Sequence, residues 1–224
     1  MKHAAGAESR RSVGSQASPA GAGRVPLIGI TGGIGSGKST VSRILRELGC
    51  SVFDCDAESR KLQKKGSPAL DRIREEFGDE VFCRDGRLNR RRLARAAFAD
   101  PERTEALNRI MHGAILQGMK AFYARHSGKG RPVFAEIPLL FEVSWQKHVD
   151  RIWLVTADTE LRVRRAAARG AAGEDEVRAR IARQLPDSAK IPLADTVLLN
   201  EGTEEELRSQ VEAALNKEER ERVL

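Results

Sequence analysis

The sequence predicts an α/β protein in which a parallel five-stranded sheet carries helices on both faces. Five short apolar runs predict the strands, and segments with apolar residues at helical spacing separate them. Strands that alternate with helices form parallel sheets, because a crossover connection must return the chain to the same end of the sheet. The five predicted strands are residues 26–31, 51–54, 132–137, 151–156 and 196–199.

The predicted helices carry recognisable periodicity and end signals. After the first strand, Ile44 and Leu45 belong to an apolar stripe, and Gly49 follows as a C-terminal cap. Residues 57 to about 126 are predicted to be helical throughout, and the last helix opens with a capping box at residues 203–206. The longest helix in the middle region has one apolar stripe, formed by Leu107, Ile110, Met111, Ala114, Ile115, Gly118, Met119 and Phe122.

Composition excludes several classes of function. The chain has 40% hydrophobic and 32% charged residues, and no apolar run approaches the ~18 residues that a membrane helix needs. Aromatic residues make up only 4%, which argues against a stacking surface for single-stranded nucleic acid. The net charge of +7 suits polyphosphate ligands as well as nucleic acid. We therefore expect no nucleic-acid, membrane or obligate protein partner.

The chain divides into a short tail and one folded domain. Residues 1–25 are rich in Ala, Gly and Ser, so we predict a disordered N-terminal tail followed by a single domain over residues 26–224. Three cysteines, with no Cys-x-x-Cys pair, favour a reducing compartment, and we expect a cytoplasmic protein.

One glycine-rich motif indicates the chemistry. Residues 32–39 match the pattern G-x-x-x-x-G-K-[ST] in full, directly after a predicted strand and at the start of a helix. This is the P-loop, whose backbone N–H groups hold nucleotide phosphates. Lys38 is expected to contact the β- and γ-phosphates, and the Ser39 hydroxyl to bind Mg²⁺. The predicted ATP contacts are Gly33, Ile34, Gly35, Ser36, Gly37, Lys38, Ser39 and Thr40.

Two acids after the second strand distinguish a kinase from other P-loop proteins. Asp54 and Asp56 fall at the carboxyl end of the strand, where a carboxylate can take the proton of an acceptor hydroxyl. The alternative is that they form an Asx turn or a helix N-cap. Glu136 ends the third strand, and either holds Mg²⁺ through water or is a solvated strand-end residue.

Residues 27 to about 212 resemble the dephospho-coenzyme A kinase family. The resemblance rests on the P-loop, the D-x-D segment, Pro138-Leu139-Leu140-Phe141-Glu142, and the pattern K-x-x-x-A-D-x-x-x-x-N from Lys190 to Asn200. It implies a nucleoside-monophosphate-kinase-like fold, with a helical acceptor-binding insertion near residues 57–126 and a lid near residues 161–188. It also implies ATP and Mg²⁺ as cofactors, and phosphorylation of the ribose 3′-hydroxyl of dephospho-coenzyme A, the last step of coenzyme A synthesis.

The resemblance also implies roles for individual residues. Asp56 matches the proposed catalytic base, and Arg165 and Arg169 match arginines of the lid over ATP, where Arg165 joins Lys38 in catalysis. Asn200 lies in the loop expected near the adenine. The matched acceptor-binding residues are Asp56, Arg90, His112, Pro138, Leu139, Leu140 and Glu142.

The sequence departs from the family pattern at three positions and leaves some alternatives open. Gly113 replaces a usual Pro, Arg162 a usual Gln, and Gly170 a usual Asp. His112 is either a structural residue or an acceptor contact, and the arginines of residues 161–183 are either a solvated face or lid contacts. Two other functions remain open: a kinase for a nucleoside monophosphate or sugar, and a nucleotide-dependent regulatory or nucleic-acid-binding protein.

Overall fold

The computed structural model describes residues 24–170 and 173–221. Its central feature is a parallel sheet in the strand order β2-β3-β1-β4-β5. All five predicted strands are confirmed, with ends that differ by one residue at most. The strands are β1 (Leu27–Thr31), β2 (Ser51–Asp54), β3 (Val133–Glu136), β4 (Arg151–Thr156) and β5 (Thr196–Leu199).

Helices connect the strands and cover both faces of the sheet. Among the described residues, no helix is long and apolar enough to cross a membrane. The helices are α1 (Lys38–Glu47), α2 (Cys55–Leu62), α3 (Pro68–Phe77), α4 (Arg90–Phe98), α5 (Pro101–His126), α6 (Thr159–Ala168), α7 (Glu174–Ile181), α8 (Asp187–Lys190) and α9 (Glu204–Glu221).

Two apolar clusters hold these helices on the sheet. On one face, α1 and α9 pack over β1, β4 and β5 around Trp153, whose ring meets Phe134 edge-on at 5.0 Å between centroids. On the other face, Ile115 and Met119 of α5 pack on β2, β3 and β4. Because both faces are covered, the inner strands carry apolar side chains in both directions, which is why they appear as continuous apolar runs in the sequence.

The middle region is helical, as predicted, and α5 joins it to the sheet. The predicted stripe of α5 serves two cores: its N-terminal half packs against α3 and α4 around Phe77 and Phe82, and its C-terminal half packs on the sheet. The region begins slightly earlier than expected, since α2 starts at Cys55 directly after β2. The predicted capping box of α9 is present, because Thr203 and Glu206 exchange side-chain-to-backbone hydrogen bonds of 3.2 and 2.8 Å.

The boundary predicted for the tail was wrong by two residues. Most of the predicted tail, residues 1–23, lies outside the described residues. Val25, however, is only 2% exposed, and its carbonyl accepts a 2.6 Å hydrogen bond from the Tyr123 hydroxyl. Arg24 forms a 2.5 Å ion pair with Asp150. Both residues therefore belong to the folded domain.

Two aspartates fix the amino ends of the strands. Asp150 accepts a 2.7 Å hydrogen bond from the backbone N–H of Leu27 at the start of β1. Asp195 accepts one of the same length from the N–H of Ile152 in β4. These side chains replace the partners that strand ends lack, and they lie at the edge of the sheet opposite the P-loop.

We predict that Asp195→Ala lowers stability without impairing the folded protein's chemistry. The substitution leaves the Ile152 N–H without its carboxylate, and a hydrogen bond to a charged group contributes about 1.5–3 kcal/mol. Urea unfolding should show this loss, while turnover at low temperature stays near wild type. Asp71→Ala, at an exposed position in α3, is the matched control and should change stability by less than about 0.5 kcal/mol. A large loss of turnover in folded Asp195→Ala would contradict the assignment.

Candidate active site

The P-loop occupies residues 32–39, between the end of β1 and the start of α1. Two of its glycines are required by close neighbours as well as by positive φ. A Cβ on Gly35 (φ 77°) would lie 2.2 Å from the carbonyl oxygen of Arg162. A Cβ on Gly37 (φ 99°) would lie 2.0 Å from Nδ2 of Asn200. The loop is therefore packed tightly between α6 and the end of β5, with the N-terminus of α1 at its base.

Lys38 is the cation at the centre of the site. Its Nζ donates hydrogen bonds of 2.8 Å to Gly32 O and 2.9 Å to Gly33 O. Burial lowers the pKa of Lys38 to about 8; the positive charges of Lys190 and Arg162 add to this effect, while the nearby carboxylates of Glu136 and Asp56 oppose it. Acidic and basic groups from several elements therefore converge on the P-loop.

The two acids of the D-x-D segment have different environments. Asp54 is the N-cap of α2, and its Oδ1 accepts a 2.8 Å hydrogen bond from the Ala57 N–H. The capping alternative therefore holds for Asp54. Asp56 lies in the first turn of α2, is exposed, and has no hydrogen-bond partner among the described residues. It is one of the charges that act on Lys38.

Glu136 lies beside the P-loop helix. It ends β3 next to Asp54 in the sheet register, and its Oε2 accepts a 2.7 Å hydrogen bond from the Ser42 hydroxyl in α1. Ser39, one turn earlier in α1, is exposed, and its hydroxyl makes no hydrogen bond within the described part of the chain. The strand-end carboxylate is thus fixed by the same helix that presents Ser39.

Asn200 and Arg165 form a second contact with the P-loop. Asn200 is 9% exposed, and its Nδ2 donates a 2.8 Å hydrogen bond to Ser36 O. Arg165 of α6 donates from Nη1 to Asn200 O at 2.6 Å, so its guanidinium is held on the loop after β5. Arg169 follows α6 and is exposed, and its guanidinium makes no hydrogen bond or ion pair with any residue that the structure describes.

The predicted acceptor residues are only partly together. Leu140 is fully buried, and a Cβ on Gly29 would lie 2.7 Å from its Cδ1. Its apolar side chain anchors the loop after β3 in the core, and its role in acceptor binding stays a prediction. Pro138 is half-buried and Leu139 is 43% exposed, so both remain accessible.

Glu142 has structural partners that the sequence did not indicate. Its Oε1 accepts a 3.1 Å hydrogen bond from the Leu185 N–H and lies 3.0 Å from Nζ of Lys190, which is 0% exposed. Glu142 and Lys190 therefore form an ion pair, although the geometry is not that of a hydrogen bond from the Lys190 ammonium. Glu142 therefore ties the loop after β3 to the segment around α8.

His112 and Arg90 lie on the helical insertion. His112 is half-buried in α5, its ring meets Trp145 edge-on at 5.4 Å, and burial lowers its pKa. Arg90 is exposed in the first turn of α4, whose N-cap is Asn89. Neither side chain has a hydrogen bond within the described ranges, so both are free to meet a ligand.

The site also contains residues that sequence reasoning did not assign. Arg162 and Gln184 contact the P-loop at Ile34, and Asp187 pairs with Arg162. The departure from the family pattern at Arg162 was the available signal. Spacing alone could not place Gln184, which reaches the loop from a segment 150 residues away, or Asp187, which acts on the loop only through Arg162.

The P-loop lies between β1 and α1 of a parallel five-stranded sheet, a charged segment lies beside it, and a helical insertion follows β2. This combination defines the class of P-loop kinases. The dephospho-CoA kinase family model matches residues 26–206. A dephospho-CoA kinase of Symbiobacterium thermophilum is 42% identical over 189 residues, which cover 84% of this chain and 79% of the relative. The chain therefore belongs to the dephospho-CoA kinase family.

Solved structures agree with the fold. A crystal structure from Thermus thermophilus has a TM-score of 0.74 at 39% identity, and the match covers 86% of this chain and 97% of the Thermus chain. The dephospho-CoA kinase from Campylobacter jejuni has a TM-score of 0.65 at 20% identity, and the match covers 87% of this chain and 98% of the Campylobacter chain. At that identity, the second likeness concerns the fold alone.

We predict that Lys38→Ala abolishes phosphoryl transfer without lowering stability. The variant loses the cation that the phosphate-binding loop itself carries, and such electrostatic losses cost about a hundredfold or more in rate. Stability should not fall, since desolvation of the charged amine already disfavours its burial. Turnover and thermal unfolding measure both effects, with the exposed Lys64→Ala as control. Near wild-type turnover in Lys38→Ala would contradict the role of the P-loop.

Proposed function

We propose that this protein transfers the γ-phosphate of ATP to the ribose 3′-hydroxyl of dephospho-coenzyme A, giving ADP and coenzyme A. Membership of the dephospho-CoA kinase family supports the substrate. The single structural observation that carries the proposal is that the P-loop with Lys38 follows β1 and the exposed carboxylate of Asp56 follows β2, so that both lie at the carboxyl edge of the same parallel sheet. A phosphate donor and a hydroxyl acceptor can meet between these two groups.

The P-loop binds the triphosphate in this proposal. Backbone N–H groups of the P-loop, other than that of Ile34, which donates to Gln184, supply fixed positive dipoles together with the N-terminus of α1, and Lys38 adds a full charge. Lys38 donates to two P-loop carbonyls in this structure. We expect its ammonium to exchange these contacts for β- and γ-phosphate oxygens, because an anionic partner compensates a buried cation better than a carbonyl does.

Asp56 acts as the general base. Its carboxylate is exposed and unpartnered in the described part of the chain, whereas Asp54 is engaged as the cap of α2. Asp56 takes the proton of the acceptor hydroxyl while the hydroxyl oxygen forms a bond to the γ-phosphorus. The bond from that phosphorus to the β,γ-bridging oxygen breaks, and its electron pair leaves with ADP. Lys38 stabilises the negative charge that gathers on the transferring group.

The residues at the P-loop suit Mg²⁺ that arrives with the nucleotide. Magnesium favours one or two protein oxygens together with water and substrate phosphates. The Ser39 hydroxyl is unpartnered among the described residues, and Glu136 lies beside α1, so they would supply such a site. Across residues 24–170 and 173–221, no cluster of three or more His, Cys, Asp or Glu could hold a metal by itself. Mg²⁺ neutralises charge on the β- and γ-phosphates when bound.

The helical insertion and the loop after β3 would form the acceptor site. Arg90 offers a cation to the acceptor's phosphates, and Pro138 and Leu139 offer accessible apolar surface. His112 has a lowered pKa, so at neutral pH its neutral imidazole would hydrogen-bond the acceptor without adding charge. Of the two lid arginines, Arg169 is free to reach the phosphates, whereas Arg165 supports Asn200.

An acceptor panel tests the proposed substrate. ADP release from ATP should depend on dephospho-coenzyme A and should not rise with adenosine monophosphate or simple sugars. Mass spectrometry of the product should show one added phosphate, at the ribose 3′ position. Transfer to a nucleoside monophosphate or a sugar, without transfer to dephospho-coenzyme A, would replace the proposal with the rival small-molecule kinase. ATP hydrolysis without any acceptor would favour a nucleotide-dependent regulatory protein.

We predict that Asp56→Asn lowers turnover by about 10²–10⁴-fold, the usual contribution of a general base. The amide keeps the size of the side chain but cannot take the proton. ADP affinity should change little, because the P-loop holds the phosphates. Turnover and calorimetric ADP binding measure the two effects.

Asp54→Asn is the matched control for this prediction. Asparagine is nearly as good an N-cap as aspartate, so the variant should keep α2 and most of its turnover. If Asp54→Asn loses more turnover than Asp56→Asn, the base is assigned to the wrong acid.

A further inference from the structure

One P-loop residue has both of its backbone hydrogen-bonding groups held by side chains. The N–H of Ile34 donates to Oε1 of Gln184 at 3.1 Å. Its carbonyl oxygen accepts from Nε of Arg162 at 3.0 Å. Arg162 lies in α6, near the start of the charged segment of residues 161–188, and Gln184 lies after α7, near the end of that segment. The two sides of this segment therefore meet at a single residue of the phosphate-binding loop.

Arg162 is held rigidly in this position. Its side chain is 5% exposed, and Nη1 lies 3.0 Å from Oδ2 of Asp187. The same Asp187 oxygen accepts a 2.5 Å hydrogen bond from the Thr156 hydroxyl at the end of β4. A guanidinium with an ion pair on one side and a backbone acceptor on the other has little freedom to rotate. The strand end thus fixes the carboxylate, and the carboxylate fixes the arginine.

The guanidinium also covers the neighbouring part of the loop. A Cβ on Gly33 would lie 1.8 Å from Nη2 of Arg162, so this group packs directly on the Gly33 backbone. The backbone of Arg162 packs on Gly35 in the same way. Its charge is close enough to lower the pKa of Lys38, which places Arg162 within the electrostatic reach of the phosphate site.

We propose that Arg162 is a positioning residue for phosphoryl transfer, which holds the P-loop at the Ile34 carbonyl so that the phosphate-binding loop is preformed. The donor that matters is Nε, and the residue acts through the backbone of the loop. This inference rests on nucleotide binding by the proposed kinase site, and it adds a residue to which that function assigns no role. A loop held from outside loses less conformational freedom when the nucleotide binds.

Two substitutions separate the hydrogen bond from the charge. Glutamine at position 162 places its amide Nε2 three bonds beyond Cβ, where arginine has Nε, so Arg162→Gln keeps a donor to Ile34 O. Arg162→Met has a side chain of nearly the same size as the glutamine variant, without any donor. Both variants remove the positive charge and the pair with Asp187, so only the donor differs between them. Arg164→Met removes an arginine from the exposed face of the same helix and is the matched control.

The experiment measures ADP binding by titration calorimetry with the full-length protein, at a temperature where circular dichroism shows each variant to be folded. Arg162→Met should bind ADP about ten- to a hundredfold more weakly, as expected for a hydrogen bond from a charged donor. Arg162→Gln should stay within about threefold of the wild type, and Arg164→Met should match it. Hydrogen exchange in peptides over residues 32–38 should be faster in Arg162→Met than in Arg162→Gln.

Turnover separates positioning from general structural damage. Arg162→Met should raise the KM for ATP and leave the KM for the acceptor within about twofold, whereas a distorted fold would change both. ADP binding and exchange need no acceptor, so they test Arg162 even if dephospho-coenzyme A proves not to be the substrate.

Three results would overturn the proposal. Folded Arg162→Met could bind ADP like the wild type. Arg162→Gln could be as weak as Arg162→Met, which would assign the effect to charge on the phosphates. Arg164→Met could weaken binding equally. Should Arg162→Met fail to fold, Arg162→Gln decides alone: near wild-type affinity supports the proposal, and a tenfold loss overturns it.

Discussion

The site depends on one constraint: the P-loop backbone must be held firmly while its inward N–H groups stay free for phosphate. Glycines allow the fold of the loop, but they supply no side chains to anchor it. The anchors come from other elements, namely Asn200 on Ser36 O, and Arg162 and Gln184 on Ile34. These side chains reach the loop because parallel strands bring β1, β4 and β5 to one edge of the sheet.

The same edge of the sheet concentrates charged side chains that are partly or fully buried. Their burial lowers stability, and a bound nucleotide would offset this loss. Lys190 is fully buried, Lys38 is half-buried, and the two positive charges repel each other. Glu136 of β3 and Asp56 of α2 offset the charge of Lys38 only in part, and Glu142 pairs with Lys190. The negative charge of a bound triphosphate would neutralise the remaining positive charge. Stability is therefore expected to be coupled to nucleotide binding, as a consequence of how the charges are arranged.

The two edges of the sheet use acidic residues differently. At the amino edge, Asp150 and Asp195 accept backbone N–H groups and hold β1 and β4. At the carboxyl edge, Asp54 similarly caps α2, whereas Asp56, two residues later, is exposed and has no hydrogen-bond partner in the described chain. Asp195 belongs to a segment that resembles the family's pattern, yet its contacts are those of a structural residue.

The sequence alone determined the strands, the helical insertion, the P-loop and the kinase class, because each depends on short-range signals: apolar periodicity, glycine spacing and helix caps. It could not determine which polar side chains meet across the fold. It also did not indicate that the apolar Leu140 packs in the core. Arg162 and Glu142 gain partners in the segment around α8, more than twenty residues away in the chain. Such long-range pairs are decided by the crossing of elements in three dimensions, and no local pattern encodes them.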